Sequence, residues 1–226
     1  EFLLRAGAEL TAFDGERKSA SHLSVESEYF GTEIVELLLA HGSPVDMIDV
    51  NNMTPLHCTV QYNRRDIASV LLQNGVAIDF GVQRRSWTPR RRHGSTVYEL
   101  SHADIAQELY TSDLRGLTPL HFAALVGDAE MTEFFLSQGA DPNALSHYRE
   151  TPLHLALSKS IQGSKYEDAW NEARWRLEDL WDVVELYDED VQEEVATQIT
   201  KTRRAVVEAL LRDDRTNVTL QDAQGL

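Results

Sequence analysis

One tetrapeptide, repeated, constrains this chain more than its composition does. Thr54-Pro55-Leu56-His57, Thr118-Pro119-Leu120-His121 and Thr151-Pro152-Leu153-His154 all fall within 226 residues. The step from Thr118 to Thr151 is one unit long, and the step from Thr54 to Thr118 is nearly two. A weaker copy, Ser19-Ala20-Ser21-His22, precedes the first by a step similar to the shorter one. The order of residues has a local cause. Thr is a preferred N-cap, because its hydroxyl can satisfy an orphan amide of the first helical turn. Pro at the next position lacks an amide hydrogen that would go unpaired there, and its φ is already helical. Leu then turns into a core. A period of about 33 with such a helix start means stacked units, each too small to bury its apolar face alone.

Two further signals keep the same register. Helix endings of the type Leu-Leu-x-x-Gly occur at Leu3-Leu4 to Gly7, Leu38-Leu39 to Gly42 and Leu71-Leu72 to Gly75, with Phe135-Leu136 to Gly139 as a fourth. Gly there suits a left-handed helix cap. Asp14, Asp49 and Asp113 each stand five positions before the Thr-like residue, where a turn is needed. Taken together, these residues resemble the ankyrin-repeat family. The resemblance implies an all-α solenoid of stacked helix-turn-helix units, with β-turn fingers projecting from the helix pairs. It also implies a non-catalytic protein–protein interaction module or scaffold segment.

The map that follows treats residues 1–226 as a single array. Units are expected at 1–13 (partial), 14–48, 49–82, 83–112, 113–145, 146–221 and 222–226 (partial). The 83–112 unit is degenerate: Thr88-Pro89 is followed by Arg90-Arg91-Arg92 instead of Leu-His. It is expected to stack as the weakest internal link. The last full unit carries an insertion at 161–200, with 12 acidic and 3 basic residues and three of the four tryptophans. Trp170, Ala173, Leu177, Leu180, Trp181 and Val184 recur at helical spacing, as do Val191, Val195, Ile199, Val206 and Leu210. That pattern predicts an acidic helical hairpin over 168–210, turning near 188–190. Long insertions of this kind resemble those of fungal ankyrin arrays, some of which sit beside NTPase domains. Because the chain begins and ends inside repeats, it reads as a piece of a longer array.

Composition sets the excluded classes. Lys and Arg number 21 against 37 Asp and Glu, a net charge of −16. Phosphate-backbone binding over the whole surface needs the opposite sign, so nucleic acid is a poor fit. No apolar run reaches the roughly 18–20 residues of a membrane span. The single cysteine, Cys58, cannot form an intrachain disulfide or a Cys-rich zinc module. These features point to an intracellular protein, cytoplasmic or nuclear, and to a monomer. His22, His57, His121 and His154 occupy the motif and are read as structural bridges, and His41 as a helix-end residue. No catalytic, cofactor or metal site is expected. Cys58 beside His57 is not a relay, since adjacent helical residues point about 100° apart. The acids at 188–194 lack the spaced ligands and central Gly of a calcium loop.

Binding is expected on the fingers and the inner helices, as in ankyrin arrays. Transferred by position, the finger candidates are Lys18, Met53, Arg115, Leu117, His147, Tyr148 and Glu150; Tyr62 and Val126 are the helix-face candidates. Aromatic, Met and Arg side chains suit interface hot spots. Two alternatives stand beside this. The array could be a spacer or regulator of an attached catalytic domain, such as an NTPase. Or Arg84, Arg85, Arg90, Arg91 and Arg92, in a stretch without acids from 80 to 98, could hold an acidic ligand or a nucleic-acid backbone.

Overall fold

A computed structural model describes residues 2–27, 29, 31–51, 53–81, 116–157 and 189–221, with the side chains of 189–200 left out. Among these residues every regular element is a helix. They are α1 (Phe2–Arg5), α2 (Ala20–Glu26), α3 (Thr32–Ala40), α4 (Pro55–Gln61), α5 (Arg65–Gln73), α6 (Pro119–Val126), α7 (Ala129–Ser137), α8 (Pro152–Leu157) and α9 (Glu189–Arg212). Pairs α2/α3, α4/α5 and α6/α7 are helix-turn-helix units, and α8 and α9 form the fourth. Inner helices stack in the order α2, α4, α6, α8, while the outer pairs α3/α5 and α7/α9 also pack together.

Each unit is assembled as the motif dictates. Thr54 and Thr118 are extended N-caps, and Pro55 and Pro119 open the helices that follow. Leu56 and Leu120 are fully buried, as are Ile67 and Leu71 on α5, Met131 and Phe135 on α7, and Val206 and Leu210 on α9. These side chains form one continuous cluster through the stack. A solenoid core of this kind consists of interfaces between neighbours, so stability is a sum of nearest-neighbour terms.

The stack corrects one unit assignment. A helical unit at 83–112 was expected between those at 49–82 and 113–145. Instead α4 packs directly on α6. His57 Nε2 lies 3.1 Å from the carbonyl of Leu117, and the Asp79 carboxylate accepts from the Asp141 amide at 3.0 Å. A Cβ on Gly81 would come within 3.0 Å of the Gly116 carbonyl oxygen. Gly81 and Gly116 therefore stand side by side in the stack. In the preceding finger only 49–51 separate the corresponding positions 48 and 52; here the whole of 82–115 does. The long step from Thr54 to Thr118 thus spans a single packed joint, between α4 and α6. The unit expected at 83–112 and the arginine island lie in 82–115, outside the described residues.

α9 has 24 residues against nine in α3, α5 and α7, an excess of about 22 Å at 1.5 Å per residue. It covers the second apolar run of the expected hairpin, from Val191 to Leu210. The first arm, with its tryptophans, lies outside the described residues.

Removing residues 82–112 restores the regular repeat spacing and brings Asp113 into the position of Asp49. This shortened chain is expected to fold, with cooperative thermal unfolding and the helicity of the α2–α7 region retained in circular dichroism. An insoluble or non-cooperative product would show that the segment supports the stack.

Candidate functional site: the fingers and the inner-helix face

The fingers are built on a side-chain clamp. In the first, Asp14 Oδ1 accepts from the amides of Glu16 (2.9 Å) and Lys18 (2.8 Å). In the second, Asp49 Oδ1 accepts from Asn51 and Met53, both at 2.8 Å. Ser146 takes the same role in the last, accepting from Tyr148 and Glu150 at 3.2 Å. The backbone closes each finger base in the same way: Asp14 N to Lys18 O, Asp49 N to Met53 O, Ser146 N to Glu150 O. Adjacent fingers also join, through the Val50 amide and the Glu16 carbonyl at 3.0 Å.

Motif histidines tie the finger bases at Met53, Leu117 and Glu150 to the preceding inner helix. Nε2 of His22, His57 and His121 faces the carbonyls of Met53, Leu117 and Glu150 at 3.0, 3.1 and 3.0 Å. A carbonyl only accepts, so Nε2 carries the hydrogen. Nδ1 is then an acceptor. It takes the hydroxyl of the capping Ser or Thr (2.9, 2.8 and 2.9 Å) and that residue's own amide (3.2, 3.3 and 3.1 Å). Burial is the first cause holding the pKa of His57 and His121 down at about 4, and it lowers that of His22 too. The histidines are thus structural, as the motif implied. His41 Nδ1 lies 2.9 Å from the Leu37 carbonyl at a helix end. Cys58 is buried in the core. Among the described residues no three His, Cys, Asp or Glu are grouped to hold a metal ion.

The candidate contact residues divide. Met53 and Leu117 are 2% and 0% exposed. They immediately precede Thr54 and Thr118, where the chain turns into the core and the carbonyl takes the histidine bridge, so neither offers a surface. Lys18 is partly covered and already paired, its Nζ 2.9 Å from Glu16 and 2.5 Å from Glu26. Burial alone would lower its pKa, but the two carboxylates more than offset this and raise it. Tyr62 donates its hydroxyl to the same Glu26 at 3.1 Å; burial first, then that carboxylate, pushes the phenol up. Lys18, Glu26 and Tyr62 therefore form one polar cluster linking the first finger to α2 and α4. Tyr148 is half-buried against the core, and its ring meets that of His147 edge-on at 5.3 Å. His147 is exposed, while Glu150 and Val126 are intermediate. Arg115 and the basic patch Arg84, Arg85, Arg90, Arg91 and Arg92 lie outside the described residues.

Two tip residues were missed by the sequence reading. Arg17 and Arg149 have φ of 57° and 61°, in the left-handed region disfavoured for side chains with a Cβ. Both stand two positions before the Thr-like residue. Gly116, with φ of 77°, holds the same position in the interrupted finger. The register of Gly116 was the available signal. Arg149 is exposed, and Arg17 lies over the ring of Phe13 at 5.4 Å.

These repeats match known proteins. Profiles described as "Ankyrin repeats (3 copies)" and "Ankyrin repeats (many copies)" match residues 1–83 and 102–156. Rabankyrin-5 of Mus musculus is 27% identical over 155 residues, covering 66% of this chain and 13% of that protein. Ankyrin repeat and SOCS box protein 11 of Danio rerio is 31% identical over 132 residues, 58% of this chain and 34% of its own length. E3 ubiquitin-protein ligase KEG of Arabidopsis thaliana is 24% identical over 248 residues, 93% of this chain and 15% of its own. The chain belongs to the ankyrin-repeat family, an all-α solenoid class whose members generally mediate protein–protein interaction. It spans between 13% and 34% of the length of these three relatives. Among the described residues no helix is long and apolar enough to cross a membrane.

Gly116 ties finger conformation to packing. A Cβ there would meet the His147 amide nitrogen at 2.8 Å, in addition to the strain of its φ. Gly116→Ala is expected to destabilise the array by about 1–3 kcal/mol, seen as a lower urea midpoint. An unchanged midpoint would mean the two fingers are free to separate.

Proposed function

We propose that this array is a non-catalytic recognition module that binds a protein through its finger tips and the adjacent inner-helix face. The observation that carries this reading is a division of labour within each finger. Asp14, Asp49 or Ser146 clamps the backbone, and a histidine anchors two of these bases and that of Gly116–Leu117. Of the tip side chains, Glu16 is paired with Lys18, while His147 and Arg149 are exposed. A rigid base presenting exposed side chains adds little ordering cost on binding. The reading makes the chain a monomer inside the cell, in cytoplasm or nucleus, and leaves catalysis to whatever it binds or is joined to. Sharing repeats with much longer proteins fits a segment serving a larger machine.

Affinity capture with the intact chain, compared with His147→Ala combined with Arg149→Gly, tests the proposal. Glycine relieves the left-handed strain at 149, so the double variant is expected to melt no lower than wild type while partner retention falls at least tenfold. Tyr148→Ala is a poorer probe, since its half-buried ring also contributes to stability. Charge reversal at Arg90, Arg91 and Arg92 is the control. If it abolishes retention while the finger variant retains everything, the fingers are not the site.

A further inference from the structure

A second ladder joins the units where the outer helices end, and it has a gap. Four positions after the helix-ending glycines Gly42, Gly75 and Gly139 stand Asp46, Asp79 and Asn143. The side chain at this position accepts an amide from the next unit: Asp79 from Asp141 at 3.0 Å, and Asn143 from Asn217 at 2.6 Å. By register Asp46 should accept from Ala77, which follows Gly75 by two positions as Asp141 follows Gly139. It does not. Among the described residues the Asp46 carboxylate makes no hydrogen bond or ion pair, and no hydrogen bond joins 43–48 to 74–80.

In place of the missing bond the two loops frame a groove of about 510 Å³, a volume typical of ligand clefts. Leu39, Pro44 and Val45 come from one unit and Val76 and Phe80 from the next, with the exposed Asp46 and Ala77 among them. The surrounding charge has one sign. From Ser19 to Asn63 the sequence holds six acids and neither Lys nor Arg. Arg64 and Arg65 stand at the start of α5, whereas the groove lies at its far end. A carboxylate among apolar walls suits a base with an apolar neighbour. Covering the walls is favourable, the base meets an opposite charge, and the acidic surroundings speed its approach.

We propose that this groove docks a basic segment of a partner protein, with a Lys or Arg meeting Asp46 while an adjacent apolar side chain lies between Val45 and Val76. The finger-tip residues His147 and Arg149 take no part in it, so it stands or falls separately from recognition by the fingers.

Titration of the full chain with the peptide Ac-Lys-Lys-Leu-Lys-Lys-amide, followed by amide NMR, tests this. The amides of Leu39, Val45, Asp46, Val76 and Ala77 are expected to shift together with a single Kd. Exchanging the peptide's Leu for Ser should weaken binding to the unaltered chain roughly tenfold. Asp46→Lys should also weaken it roughly tenfold and leave the melting temperature unchanged, since Asp46 is exposed. The acidic peptide Ac-Glu-Glu-Leu-Glu-Glu-amide should shift none of these amides. Shifts scattered over the acidic surface and insensitive to both exchanges would mean charge attraction alone, and would overturn the proposal, as would no shift at all. Two other occupants would overturn it too. Shifts at these amides on diluting the free chain would mean a second copy, and nuclear Overhauser contacts from Val76 to residues 82–115 would mean the chain's own segment.

Discussion

The rest of this structure depends on one three-way contact: a capping hydroxyl and amide, an imidazole, and a carbonyl of the next unit. The Thr-Pro-Leu-His order makes it possible. Thr and His are three residues apart on one helical face, so the ring can turn back to the cap while its far nitrogen reaches outward. The reach ends on the carbonyl immediately before the next Thr. A local helix-start signal is thereby converted into a long-range register signal, because the same four residues that begin a helix also specify where the next one must stand. Buried polar groups are costly unless paired, so a ring misplaced by one residue would leave three of them unsatisfied.

That contact also explains which parts of the fold were legible. The caps, the buried leucines and the helix-ending glycines are local and were readable from spacing alone. The position of the 83–112 segment was not. Thr88-Pro89 stands about one period after Thr54-Pro55, and so imitates a repeat. The deciding fact is which carbonyl His57 meets, and it meets that of Leu117, far along the chain. No local propensity encodes that choice. The missing Leu-His after Pro89 was the hint: without them a unit can neither fill the interface nor bridge to its successor.

The finger surface was less legible for a related reason. Met53 and Leu117 stand beside the tips in sequence, yet their carbonyls serve the bridge and their side chains turn into the core. Lys18 and Tyr62, two of the candidate residues, lie at the first finger and at the end of the second inner helix. They share Glu26, so a partner meeting them meets an internally neutralised cluster and not a free cation and phenol. Charge read from sequence overstates what such a face offers, because pairs such as Glu26 and Tyr62 are invisible until the units are stacked.

The same chemistry marks where the array tolerates added length. The bridge and the clamp fix the finger base and ask nothing of its tip. The sequence between Gly81 and Gly116 is therefore accommodated with the His57–Leu117 bond and the Asp79–Asp141 bond in place. Length is also added at the start of α9, while its last turns bury Val206 and Leu210 against the neighbouring unit as the shorter outer helices do. Sequence drift in a one-dimensional stack is constrained by its nearest-neighbour contacts. In this chain those contacts run along a line of buried histidines, His22, His57 and His121.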